Sequence, residues 1–254
     1  MTSAFDATAT NFEHHRALPS GAPEAIRSAI CAATSLPAHP RVLDIGAGTG
    51  RIGKAFIAAG DFYVGVDTSA AMLQEFPTNL ANSLLALADG RQLPFCNGVF
   101  DVVLLMQVLS GVGDGQSILN EARRVLRPGG SIAVGHTVHS ESGIDAQLKR
   151  QLTAILEEMQ IVWHRPQESR RQALAWLESS AKAHVHSLAA SWNVNNTARK
   201  FLQRRPTGAR FAALPVDVQE QVLEKLGTWA ETTFGSVDAG FQEQRSFELD
   251  IFIF

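Results

Sequence analysis

Across 254 residues the chain has no apolar run of about 18 residues, the length a membrane-spanning helix requires. Its opening stretch, MTSAFDATATNFEHH, contains no apolar core of the kind an export signal carries, so a cytoplasmic protein with no membrane association is expected. Charge of one sign is also missing. Against 25 acidic residues stand 22 basic ones, a net charge of −3 at pH 7, which argues against nucleic acid or an acidic membrane as a partner. Only two cysteines occur, Cys31 and Cys96, in unrelated contexts without metal-ligand spacing; reduced thiols in a cytosolic protein follow, with no metal site. Internal repeats and low-complexity tracts are absent, which removes solenoids and flexible arrays. What is present suits one α/β unit with additions: 45% of the residues are apolar, enough for a full core.

The most informative stretch is residues 42–50, VLDIGAGTG, where an apolar strand runs into a carboxylate and then Gly46, Gly48 and Gly50. Glycines at alternate positions let the backbone turn with positive φ and approach a ligand with no Cβ between. A strand over 41–45 and a helix over 51–59 are expected around that turn, the helix aiming its N-terminus at whatever the turn holds. Gly48, Gly50 and Gly53 also satisfy the dinucleotide pattern G-x-G-x-x-G, so the glycines do not name the ligand. Asp44 discriminates. A carboxylate two positions before the first glycine is unwelcome beside a pyrophosphate and favourable beside an ammonium or sulfonium. S-adenosylmethionine carries both cations. The alternative for Asp44 is a local one, capping the turn by accepting from the glycine amides.

The following segments fall at the spacing of a doubly wound sheet. Residues 62–66 form a second strand ending at Asp67, and 68–76 a helix capped by Thr68 or Ser69. Asp67, about twenty residues past the glycines, is placed to accept ribose hydroxyls, or to make an Asx turn into the helix. Residues 84–88 form a third strand ending at Asp89-Gly90, where Asp89 is positioned to accept from an adenine amine. The nearly continuous apolar run 100–106 reads as a buried central parallel strand; 116–126 is helical, 127–130 a turn and 131–135 a fifth strand.

Taken in order, VLDIGAGTG, VGVDTSAAML, LADGRQLPF, FDVVLLMQVL and EARRVLRPGG resemble the class I S-adenosylmethionine-dependent methyltransferases, and within them the methyltransferase type 11 group related to ubiquinone/menaquinone C-methyltransferases. The resemblance implies an α/β fold: a doubly wound, seven-stranded, mostly parallel Rossmann-like sheet with helical lid insertions. It implies S-adenosyl-L-methionine as cofactor. Asp44, Gly46, Gly48 and Gly50 would line its methionine part, Asp67 its ribose, Met72 or its neighbours its adenine and Asp89 the adenine amine, with Met106 and Gln107 beneath the methionyl moiety and Ala47, Thr68 and Gly90 also among the cofactor contacts. Phe12 and Arg16 resemble an N-terminal aromatic-and-arginine element of relatives, with Arg16 placed to pair with the cofactor carboxylate. Relatives more often have Tyr at the Phe12 position, and a His pair where this chain has Gln107-Val-Leu-Ser-Gly111. No Asn/Asp-Pro-Pro-aromatic element follows Met106, and relatives use that element to hold a planar nitrogen. A small-molecule acceptor methylated at oxygen, carbon or nitrogen is therefore expected. Two competing readings are a nucleotide-dependent oxidoreductase, opposed by Asp44 and the RPGG turn, and a non-catalytic scaffold that keeps the cofactor fold.

Past residue 140 the texture changes, and all four tryptophans lie there. Helices are expected over 144–162, 169–180, 197–204 and 216–233, a sixth strand over 183–191 and a final antiparallel strand over 244–254. Hairpin connections need few residues, so the stretch between the last two strands is an insertion. Residues 1–142, 166–194 and 239–254 are read as the methyltransferase core, and 143–165 with 195–238 as a helical lid governing substrate choice. The lid carries Arg199, Lys200, Arg204, Arg205 and Arg210, expected to be a solvated helix face rather than an RNA or anionic-substrate site. His136 and His139, at the carboxyl edge of the fifth strand, are weak candidates for a general base. His184 and His186 alternate on a strand and are expected to face the surface rather than a metal.

Overall fold

The apolar segments become seven strands: β1 (Arg41–Ile45), β2 (Phe62–Asp67), β3 (Ser83–Leu87), β4 (Phe100–Met106), β5 (Leu126–His139), β6 (Ala183–Asn196) and β7 (Phe241–Ile253). In the computed structural model, which describes residues 17–76, 83–163 and 166–254 and the side chains of these except 166–169 and 209, they pair into one sheet. The order is β3-β2-β1-β4-β5-β7-β6. Strands β1 to β5 run parallel, and β7 is antiparallel to both β5 and β6. Every residue of β4 is buried, as its unbroken apolar run requires of a strand covered on both faces. Strand order reverses beside β1, between its neighbours β2 and β4, and this opens a crevice at the carboxyl ends of those strands.

Helices cover both faces. On one, α1 (Ala22–Ala33) and α2 (Gly53–Ala58) bury Ile26, Ile30 and Phe56 against Val42, Val102 and Leu104. On the other, α4 (Gly115–Val125), which follows the short α3 (Ala70–Gln74), sets Leu119, Ala122 and Val125 against Leu43, Val103 and Leu105, beside Leu177 of α6 (Pro166–Ser180). Between α4 and α6 in the chain lies α5 (Ile144–Glu158). Helix α1 was not among the elements expected from the sequence, although Pro23 in its first turn and the Ile26/Ile30 pair four residues apart mark it.

A third cluster has its own core. Leu148, Leu152 and Leu156 of α5 pack on Phe201 of α7 (Ala198–Arg204), Phe211 of α8 (Ala209–Ala212), and Val222 and Leu226 of α9 (Val216–Phe234). The seam between this helical cluster and the sheet is ionic. Buried Asp145 receives Arg204, Arg245 Nη2 at 3.0 Å and Asn196 Nδ2 at 2.9 Å, with His139 Nδ1 3.0 Å away. Asn196 also donates to Glu243 at 2.8 Å, which ties β6 and β7 to the same hub.

Several boundaries move. The first helix after the glycines begins at Gly53, not 51, and α5 stops at Glu158, where Gln160 takes φ 58°. The expected turn at 127–130 is absorbed into β5 as an irregularity, with Gly129 at φ 77° and the pairing register to β4 shifting between Phe100 and Val102. Strand β6 continues to Asn196 because β7 pairs along its whole length, up to Asn196 opposite Phe241.

Candidate functional site

The crevice is a cavity of about 530 Å³ with two unlike walls. One is built by the carboxyl ends of β1, β2 and β4 and the loops that follow; the other comes from Trp163 and residues 205–211 of the helical cluster.

The glycine turn is fastened to β2. Gly46 and Ala47 N–H both donate to the Val66 carbonyl, at 2.8 and 3.0 Å. Gly46 sits at φ 78°, and a Cβ there would come within 2.6 Å of a Val108 methyl, so glycine is required twice over. Gly48 N–H donates to Asp67 Oδ2 and Ser69 N–H to Asp67 Oδ1, each at 2.9 Å. Asp67 therefore makes the Asx turn into α3 and also clamps the glycine loop, at the cavity wall. Of the two expected caps, Ser69 is the one used, accepting from Met72 N–H at 3.2 Å.

Asp44 is 2% exposed. Tyr63, the only tyrosine in the sequence, donates to its Oδ2 at 2.7 Å. The other oxygen, Oδ1, is buried with no hydrogen-bond partner among the described residues. The neighbouring glycine amides bond elsewhere, so the capping alternative for Asp44 does not hold. Burial pushes its pKa up to about 7 against the opposing Tyr63 bond, with the Asp67 charge adding to the rise. Tyr63 reaches this position because Gly53 has no side chain; a Cβ there would collide with the phenol. Gly53 thus provides the signal in the sequence for a partner that was not foreseen.

On the adenine side expected from the sequence, Asp89 lines the cavity with both oxygens engaged by the Arg91 guanidinium, at 2.6 to 3.0 Å, and that pairing holds its carboxyl below the usual range. Gln107, just past β4, carries φ 63°, a sparsely populated conformation for a residue with a side chain. It is over-determined there. Its N–H bonds the Gly135 carbonyl at 2.8 Å, its Nε2 donates to Thr137 Oγ1 at 2.8 Å, and its Oε1 accepts from Arg51 at 3.2 Å.

Of the site residues expected from sequence, Asp44, Gly46, Ala47, Gly48, Asp67, Thr68, Met72, Asp89, Gly90, Met106 and Gln107 line this cavity together. Gly50 does not. A Cβ there would fall on the Phe76 ring, at 2.5 Å, so its requirement is packing. Arg16 and Phe12 lie outside the described residues. His136 and His139 are not on this cavity either: His136 meets Arg170 at 3.1 Å and His139 faces Asp145, and burial lowers both pKa values. His184 and His186 share Asp250 Oδ1, at 3.2 and 3.1 Å.

Sequence reasoning missed Arg51 and the loop from Ser110 to Asp114, and although the second wall falls within the segments read as a lid, none of its residues was named for the site. It also treated five basic residues as one face, whereas the structure divides them. Arg199 pairs with exposed Asp238, Lys200 donates to the Asn195 carbonyl, Arg204 enters the Asp145 hub, and Arg205 and Arg210 line the cavity.

Residues 43–134 match the family model described as a methyltransferase domain. Over that stretch the chain is similar to a methyltransferase domain. A demethylmenaquinone methyltransferase from Parafrankia sp. (strain EAN1pec) is 35% identical over 155 residues, which are 53% of this chain and 61% of that protein. An uncharacterized methyltransferase from Mycobacterium sp. (strain JLS) is 36% identical over 107 residues, 42% of each chain. The chain therefore spans only about 40 to 60% of these relatives' length. Among solved structures, the YcgJ protein from Bacillus subtilis shares the fold at TM-score 0.56 and 19% identity, covering 90% of this chain and 97% of that one. A Haemonchus contortus N-methyltransferase solved with phosphomonomethylethanolamine and S-adenosylhomocysteine shares it at TM-score 0.55 and 15% identity, over 98% of this chain and 57% of that one. The methyltransferase domain accounts for the first wall of the cavity and ends before the second begins. Among the described residues no helix is long and apolar enough to cross a membrane.

Proposed function

We propose that the protein is an S-adenosylmethionine-dependent methyltransferase acting on a small-molecule acceptor at oxygen, carbon or nitrogen. The observation that carries this reading is Asp44 Oδ1: a buried carboxylate oxygen on the cavity wall with no hydrogen-bond partner among the described residues. Buried polar atoms are nearly always satisfied, and a cationic ligand group would satisfy this one while returning the carboxyl to its ionised form. A dinucleotide pyrophosphate would be repelled at the same place.

When bound, the cofactor supplies an electrophilic methyl group on a sulfonium. Asp44 would neutralise its ammonium, Gly46 and Gly48 would let it approach the backbone with no Cβ at either position, Asp67 would accept from its ribose while still clamping Gly48, and Asp89, kept anionic by Arg91, would face its adenine amine. Met106 and Gln107 would form the floor. The chain's remaining contribution is alignment and exclusion of water, since displacement at a sulfonium methyl asks for little acid or base. This suits a cavity whose walls hold neither His136 nor His139. Residues 143–165 and 195–238 would serve as the lid that closes over the acceptor.

Calorimetric titration of the full chain with S-adenosylmethionine, S-adenosylhomocysteine and NAD(H) tests the proposal. Selective binding of the first two is expected; binding of NAD(H), or of none, would overturn it.

A further inference from the structure

The second wall holds a positive charge that the cofactor assignment does not use. Arg205 opens the short 3-10 turn Arg205–Thr207 and lines the cavity, with its Nε buried and without a hydrogen-bond partner among the described residues. Its guanidinium rests on two rings, 5.2 Å from the centroid of Phe201 and 5.9 Å from that of Phe211. Among the described residues no carboxylate pairs with it. Asp145, the acid whose field reaches it, is already taken by Arg204 and Arg245. Burial, reinforced by the like charge of Arg204, pushes the guanidinium down to about 10, which marks a place short of negative charge. Ring contacts orient an arginine fork without neutralising it. The carboxylates lining this cavity (Asp44, Asp67, Asp89 and Asp114) all stand on the opposite, motif-built wall. Among the described residues no carboxylate lines the second wall, whereas the first carries these four beside Arg51 and Arg91, so Arg205 faces no acid on its own side of the cavity.

We propose that Arg205 is the receptor for an anionic group, a carboxylate or phosphate, on the methyl acceptor, whose apolar part lies against Trp163. The proposal rests on the methyltransferase reading for the identity of the acceptor site, and deepens it to an acceptor class. Carboxylate and phosphate each present a pair of oxygens that the planar guanidinium fork binds in bidentate fashion. One other source of that chemistry exists, the carboxylate of the cofactor itself, and the test separates the two.

Full-length protein saturated with S-adenosylhomocysteine is titrated with benzoate, phenyl phosphate and the neutral isostere benzamide. Both anions are expected to bind, and benzamide to bind at least about 10-fold more weakly. Arg205→Met and Arg205→Lys, which lose the charge and the fork respectively, are expected to weaken both anions by about 10-fold or more while leaving S-adenosylhomocysteine affinity within about 2-fold. Equal binding of benzoate and benzamide by the native chain overturns the proposal, and that comparison needs no variant to fold. Undiminished anion binding by both variants overturns it too. Loss of S-adenosylhomocysteine affinity in the variants would hand Arg205 to the cofactor carboxylate and overturn the acceptor assignment. Failure of the native chain to bind S-adenosylhomocysteine would instead sink the cofactor reading, and the same anion titrations on the unloaded protein would still judge Arg205.

Discussion

Asp145 at the ionic seam and Asp44 at the glycine turn are both buried aspartates, and they are held in opposite ways. Burial acts to raise the pKa of Asp145, but His139, Arg204 and Arg245 converge on its two oxygens and hold it well below the usual carboxylate range. Asp44 has one partner, Tyr63, and a bare second oxygen, so there burial wins and the carboxyl rises to about 7. An acid whose charge is matched inside the fold is structural. One whose charge is left unmatched on a cavity wall is arranged for something that arrives from outside.

The comparison breaks most readily at Asp145. Replacing it with Ala leaves Arg204 without its acceptor, and Arg245 and Asn196 with Glu243 alone, and removing one member of a buried ionic cluster costs about 3–5 kcal/mol. Urea unfolding is expected to show that loss, and hydrogen exchange is expected to place the opening in α5, α7 and α9 before the sheet. A loss under about 1 kcal/mol would mean the seam is not what holds the helical wall.

Asp44→Asn is the next largest change and acts on binding. It is expected to weaken S-adenosylhomocysteine by about 10- to 100-fold, the worth of a hydrogen bond to a charged group. Its pH behaviour gives a second handle. A folded pKa raised to about 7, above the unfolded value near 3.9, means the folded chain holds this proton more tightly. The corresponding stabilisation is complete below the unfolded pKa and disappears as pH rises through about 7. Unliganded native protein should thus lose this increment of stability between those limits, while cofactor affinity climbs as the carboxylate ionises near pH 7. The Asn variant should be flat in both. A variant that keeps native affinity would remove Asp44 from the cofactor site.

The two walls also differ in how far they could be read from the sequence, for a physical reason. The first is local: Asp44, Gly46, Gly48, Asp67 and Asp89 each sit at the end of an apolar strand, where spacing alone puts them at one sheet edge, and all reach the cavity. What failed there was non-local. Gly50 serves the Phe76 ring, and Asp44 bonds a tyrosine 19 residues away through the gap left at Gly53. The helical wall depends on burial that charge patterning does not reveal. Arg199 and Arg205 look alike in a basic run, yet one is in solvent and the other is seated on aromatic rings in a cavity. Helix α1 was legible as well, since Pro23 in its first turn and Ile26 and Ile30 on one face mark it, and it was passed over.

Tyr63→Phe sharpens the reading of Asp44 at smaller cost. It removes the single donor and leaves the carboxylate orphaned, which costs about 1–2 kcal/mol of stability. Because the Tyr63 bond is what restrains the rise in the Asp44 pKa, the variant should move the midpoint of the pH–affinity curve upward. An unmoved midpoint would show that Tyr63 packs against Asp44 without governing its ionisation.

The smallest effect is expected at Arg199, where the same chemistry as at the seam stands in solvent. Its guanidinium makes two bonds to Asp238, at 2.6 and 2.7 Å, yet the two side chains are 53% and 59% exposed. Water and salt screen such a pair, and holding two flexible side chains together offsets most of what remains. Arg199→Ala should leave the melting temperature, S-adenosylhomocysteine affinity and anion binding unresolved from native. If it instead destabilised the chain as Asp145→Ala does, burial would not be what separates the structural, the binding and the idle arginines of this helical wall.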